Sequence, residues 1–288
     1  MNLRRQMANR LRGFERIVVW GAGGLSKNAL DHWLPKAKVD RIVDPATTKQ
    51  GTELCGITVL APEALSQNPP ECIVICSTAY LEILEQIDAM DLSCARFYIY
   101  ELFLPEEGGM SQLEMLKIDI LATQNDPLPL LVMKKPQVLV NISYRLARHL
   151  QGKPILWPLY AITFVLHYIV CWLTSIQLPL ETEIGAGFII AHPGTIVFTG
   201  RAKLGAFVTI YHCCTVGTTL SGGTPEIGNF VTIYAGSHVL GGSRIGDHSK
   251  VGAMSLLIDL EAESYSTIAG IPATVRKTYG SKLAAGAS

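Results

Sequence analysis

A chain of 288 residues is long enough for two domains, each with a core of its own. Its 24 Lys and Arg offset 24 Asp and Glu, so no basic face invites nucleic acid and no nucleic-acid partner is expected. Only 17% of residues are charged and the mean hydropathy is +0.29, which predicts apolar surface hidden in subunit contacts or against lipid.

The opening MNLRRQMANRLRGFER is polar and basic, and the apolar run behind it, Ile17 to Trp20, has only strand length, so no export signal is expected there. Seven cysteines without a CxxC spacing fit a reducing cytoplasm, which is the expected location, with the cytoplasmic side of the inner membrane as its extension. Short β-branched runs then alternate with helix-like segments: Arg16–Trp20, Gly24–Trp33, Val39–Val43, Cys72–Cys76, Leu81–Met90 and Arg96–Tyr100. This predicts a small Rossmann-like α/β domain over residues 1–104. Between its first strand and helix lie Gly21, Ala22, Gly23, Gly24, Leu25 and Ser26, with Asp44 closing the second strand. The third glycine of a dinucleotide fingerprint is Ser26 here. Two readings stand: a turn that cradles a nucleotide, or a tight strand-to-helix connection.

Residues 105–180 read as a helical connector, broken by Pro127, Pro129 and Pro136. Its last part, Pro154–Leu180, holds no Asp, Glu, Lys or Arg, and His167 is its only imidazole. The length would span a bilayer, but Pro154, Pro158 and Pro179 interrupt it. Three readings stand: a lid or subunit contact at the end of the next domain, a helix in the plane of a membrane surface, and a spanning helix.

From residue 181 to 275 an apolar residue recurs every six positions: Ile184, Ile190, Ile196, then Leu204, Ile210, Val216, then Ile227, Ile233, Val239, Ile245, Val251 and Leu257. Six does not fit a helical period of 3.6; it fits a parallel β-helix whose coils have three short strands. The phase slips by two residues after Ile196 and by five after Val216, where TTLSGGTP is expected to project as a loop. Residues 276–288 read as a basic, flexible tail.

The stretch EIGAGFIIAHPGTIVFTGRAKLG, then VTIYHCCTVG, the glycine-rich loop and a closing AGIPA resemble the serine acetyltransferase branch of the hexapeptide acyltransferases. The resemblance covers Ile176 to about Lys277. It implies a left-handed parallel β-helix, acetyl-CoA as co-substrate, a homotrimer and no metal. It makes His192 the general base, and the backbone at Gly217 the donor to the developing oxyanion. Tyr211, His212, Gln177 and Thr224 become acceptor-side residues. Pantetheine would pass Ala235, Gly236 and Ala253 to reach Gly270, Ile271 and Pro272, with Arg276 and Lys277 meeting the CoA phosphates.

Physical chemistry supports part of this. A hydroxyl attacks a thioester poorly unless a base removes its proton, and imidazole is suited to that near neutral pH. Cys213 and Cys214 could suggest an acyl-cysteine, but adjacent thiols with nothing to lower their pKa read better as packing residues. His238 and His248 have no assignable partner. Three departures bear on the acceptor: serine acetyltransferases carry aspartates where this chain has Ala191 and Gln177, and a loop histidine where it has Thr224. Without carboxylates the chain cannot clasp a free ammonium, which argues against serine. It more closely resembles polysaccharide O-acetyltransferases of the same branch, and its first hundred residues resemble the Rossmann-like domain that precedes the β-helix in bacterial sugar acetyltransferases. The expected activity is therefore O-acetylation of a sugar hydroxyl in surface-polysaccharide assembly. The alternatives are N-acetylation of a nucleotide-linked amino sugar, O-acetylation of serine, and a non-catalytic scaffold.

Overall fold

In the computed structural model the described residues are 3–105, 109–123, 128–220 and 222–279. Pro127, Ser221 and residues 280–288 lie outside them. The fold has two units, divided between Gly108 and Gly109.

In the first unit, two wholly buried apolar runs, Ile17–Trp20 and Cys72–Ile75, pair in parallel inside a sheet, since chains buried on both faces need no polar alternation. The strands are β1 (Ile17–Trp20), β2 (Val39–Val43), β3 (Glu53–Leu54), β4 (Ile57–Leu60), β5 (Cys72–Ile75) and β6 (Ala95–Tyr98), in the order β3-β4-β2-β1-β5-β6. All pairs are parallel except β3 with β4. The expected helix at Gly24–Trp33 is an α-turn, Gly24–Asn28, that widens into a π-helix, Ala29–Trp33. The strands of the hairpin β3–β4 are too short to show a period in the sequence.

The second unit is the β-helix with the helices before it. Every one of the twelve six-spaced apolar residues is buried, because each coil turns one of them inward at each face. One face stacks Ile176–Gln177, Ile196–Phe198, Cys214–Gly217, His238–Leu240 and Leu256–Ile258. A second stacks Glu183–Ile184, Lys203–Leu204, Glu226–Ile227, Arg244–Ile245 and Glu261–Ala262. The third stacks Ile189–Ile190, Thr209–Ile210, Thr232–Ile233, Lys250–Val251 and Ser266–Gly270, and ends in the antiparallel strand Ala273–Thr278. Arg276 and Lys277 thus belong to the closing strand, which corrects the expectation of a tail from residue 276.

The first coil has no coil below it, so its backbone groups need partners from elsewhere. The helix Val138–Leu150 and the residue before it supply them from one face. Gln137 Nε2 donates to the carbonyls of Ile190 and Ala191, Asn141 to Phe188, Tyr144 to Thr182, Arg145 to Ile184 and Gly185, and Arg148 to Leu180. Asp119, from the helix Gln112–Thr123, accepts from the amides of Gly187 and Phe188. The lid is therefore Val138–Leu150 and not the apolar helix Trp157–Thr174, which buries only His167 and Cys171. Apolar composition alone points to Pro154–Leu180 as the lid. What an open coil end requires is polar groups aimed at its carbonyls and amides.

Candidate active site

The register of the third face sets Ile190, Ile210, Ile233, Val251 and Ile268 one above another. Two residues beyond each stand His192, His212, Ala235, Ala253 and Gly270. The expected base and most of the expected CoA-binding residues therefore line one edge of the prism. The edge is held by backbone bonds from Gly236 to His212 and from Met254 to Ala235. Gly270, Ile271 and Pro272 form the turn between the last two strands, and Arg276 Nε folds back to the carbonyl of Ala269 at 3.1 Å. Lys277 lies farther along the same strand, opposite Thr267.

His192 is exposed at this edge, and no side chain among the described residues hydrogen-bonds its imidazole. Its ring lies 6.0 Å from that of His212 and 5.7 Å from that of Tyr211, centroid to centroid. His212 Nδ1 is buried without a hydrogen-bond partner. The corner at Pro193-Gly194 has a steric reason. Gly194 has φ +147°, and a Cβ there would come within 2.9 Å of His212 Cβ. The half-buried Tyr211 ring thus adjoins the imidazole, and the Tyr234 ring stacks on its far side one coil on, with centroids 5.3 Å apart.

Gln177, Gly217 and Thr224 do not join this edge within one chain. Gln177 pairs with Val197 on the first face, Gly217 ends a strand of that face beside Leu240, and Thr224 lies in the loop that follows. His192 lies a coil earlier than that loop and at a different corner, with the strand Ile196–Phe198 and its neighbours between the two corners. Cys214 is buried, and burial pushes its thiol above the ordinary value, so it is a packing residue; Cys213 is exposed. His248 does have partners, stacked between Phe230 and Tyr265 at 4.6 and 4.9 Å in a corner ladder that begins at Phe207. The spacing of these four residues carried that signal, one per coil.

In the first unit, Gly21 has φ +111° and a Cβ there would press on the Cys76 carbonyl at 2.8 Å, so this glycine is needed for the connection itself. Asp44 accepts from the Ala22 amide at 2.7 Å and from Lys49 at 2.9 Å. Burial opposes its ionisation, but the bonds from Lys49, Ala22 and Ala46 outweigh that and hold its carboxyl below the usual value. The carboxylate is thus engaged by the turn it closes, which favours the connection reading over the nucleotide one.

The family profile "Bacterial transferase hexapeptide (six repeats)" matches residues 224–259. The serine acetyltransferase of Helicobacter pylori strain 26695 is 32% identical over 126 residues, covering 43% of this chain and 71% of that protein. The chain belongs to the hexapeptide-repeat transferases, in their serine acetyltransferase branch. The Staphylococcus xylosus serine acetyltransferase is 31% identical over 127 residues, and the chain spans 58% of its length. Among solved structures, the Neisseria gonorrhoeae serine acetyltransferase shares the fold, with a TM-score of 0.50 and 23% identity over 60% of this chain and 68% of that one. The profile match lies within the β-helix, and this branch is the one that the stretches ending in AHPG and AGIPA resemble.

Proposed function

We propose that the protein is an acetyl-CoA-dependent O-acetyltransferase that acts on a sugar hydroxyl in bacterial surface-polysaccharide assembly, with His192 as general base. The observation that carries the catalytic part is the shared edge: an exposed imidazole stands in line with Ala235, Ala253 and the Gly270–Pro272 turn. A long thin co-substrate laid along that edge would present its thioester to the acceptor beside His192. The base takes the acceptor proton as the oxygen attacks the acetyl carbon, and the thiolate of CoA leaves. Gly217 and Thr224 lie at another corner, so they would reach this edge from a neighbouring copy, which supports a homotrimer with sites between subunits.

For the acceptor, Ala191 and Gln177 offer no carboxylate to an ammonium, whereas Tyr211, backed by Tyr234, offers an aromatic wall to the apolar face of a sugar ring. The names of the relatives favour a second reading, O-acetylation of serine. Thiol release from acetyl-CoA, measured with serine, amino sugars, nucleotide sugars and oligosaccharides, separates them. Release with a saccharide, reduced about a hundredfold or more in His192→Ala with CoA binding intact, is the expected result. Release with serine alone would replace the acceptor. Equal turnover in the variant would remove His192 as base. No release and no CoA binding would leave a scaffold.

A further inference from the structure

On the third face, the carbonyl that leads into each corner of the site edge is held by an amide from the coil below. The Ala191 amide donates to Ile210 at 2.9 Å, Tyr211 to Ile233 at 3.0 Å, Tyr234 to Val251 at 3.0 Å and Gly252 to Ile268 at 2.8 Å. Backbone geometry thus sets the height at which His212, Ala235, Ala253 and Gly270 leave the face. Ile190, two residues before His192, differs. Its strand is the outermost of the stack, and no coil lies beneath it to supply an amide.

Gln137 takes the place of that amide. Its Nε2 donates to the Ile190 carbonyl at 3.3 Å and to the Ala191 carbonyl at 3.4 Å, the last two carbonyls before the imidazole-bearing residue. The side chain is 1% exposed, and its Oε1 is buried without a hydrogen-bond partner. An apolar side chain of the same length would avoid the cost of that stranded oxygen, so the donor is what the position requires. Asn141, one turn along the helix Val138–Leu150, plays the matching part for Phe188 at 2.8 Å, and its Oδ1 is likewise buried without a partner. Its bond is the shorter of the two sets, but it falls four residues before His192, on the far side of the strand Ile189–Ile190.

We infer that Gln137 is a positioning residue for His192: it holds the open side of the first coil so that the imidazole stands level with the rest of the site edge. The inference rests on the reading of His192 as general base. Being buried, Gln137 meets neither acetyl-CoA nor acceptor, and the residues proposed to bind them, Tyr211, Ala235, Ala253 and the Gly270–Pro272 turn, belong to higher coils. Its loss therefore changes how often the base is in place and leaves what the site binds unchanged. Proton removal is sensitive to displacements of the base far smaller than those that open a coil.

The test compares Gln137→Met with Asn141→Leu in the full chain, each variant removing one donor at nearly constant volume. Thiol release is followed with acetyl-CoA and the saccharide or serine acceptor that the wild type uses, beside thermal melts and hydrogen exchange at the Ala191 amide. Gln137→Met should lower kcat about tenfold or more, keep KM for both substrates within about twofold, and speed exchange at Ala191. Asn141→Leu should melt at least as early and yet keep kcat within about twofold. Unchanged kcat in Gln137→Met, or an equal loss of kcat in both variants, overturns the inference and leaves Gln137 a cap residue only. An inactive His192→Ala beside a fully active Gln137→Met marks the failure of this inference alone. A fully active His192→Ala, or no release by the wild type, marks the failure of the reading beneath it, with no base left to position.

Discussion

Arg145 and Asp119 meet at 2.9 Å with each side chain 1% exposed, and between them they satisfy the backbone of the first β-helix coil at four points. Neither charge has water to fall back on. Removing one strands the other, so Arg145→Met should cost about 3–5 kcal/mol. Arg244→Met, which breaks a surface pair with Glu261 at 3.4 Å, should cost about 1 kcal/mol or less. Urea midpoints of the two variants check the contrast, and equal losses would mean that the cap is not a keystone of this unit.

The six-residue period made the β-helix legible because one inward residue per face repeats identically in each coil, from Ile184 to Leu257. The site edge was legible for the same reason: once the period places Ile190 and Ile210, the histidines two residues on must align. The cap was not legible. Gln137, Asn141, Tyr144, Arg145 and Arg148 look in sequence like the polar side of an ordinary amphipathic helix, and only the fold shows that this side faces inward onto an open coil. The distance between His192 and Thr224 was equally hidden, because the period fixes height along the prism but says nothing plain about which corner a loop occupies.

Gly194 gives a sharper test of the site edge. With φ at +147° and His212 Cβ 2.9 Å from where its own Cβ would be, Gly194→Ala should cost about 1–3 kcal/mol and lower kcat/KM by displacing His212 from His192. Gly23→Ala, where φ is −117° and no atom lies within 4 Å, should change neither. Thermal melts alongside thiol-release kinetics read both effects, and a harmless Gly194→Ala would show that the corner does not position His212.

His167 predicts a pH dependence. Burial pulls its imidazole below the ordinary value, and the bond to the Leu178 carbonyl only partly opposes this. The unfolded chain therefore binds the proton first as pH falls. The stability due to the neutral ring is complete above about pH 6.5 and is lost as the pH drops toward the lowered folded value. Denaturant midpoints at roughly pH 7.5 and 5.5 should fall for the wild type and fall less for His167→Gln. An identical drop in both would assign the acid sensitivity to other groups.

The acceptor wall is the most discriminating prediction, because it divides the two candidate substrates. Stacking of a sugar face on Tyr211, whose ring lies 5.7 Å from His192, adds an interaction of order 1 kcal/mol, so Tyr211→Ala should raise the acceptor KM about five- to tenfold, with little change in the KM for acetyl-CoA. Tyr211→Phe keeps the ring and should restore the value. A serine acceptor has no ring face to stack, and its ammonium and carboxylate would depend on charge instead, so for that substrate alanine and phenylalanine should behave alike. Initial rates at saturating acetyl-CoA, with the acceptor varied, separate the cases: a KM that follows the aromatic ring supports the sugar, and one indifferent to it removes the wall from the acceptor site.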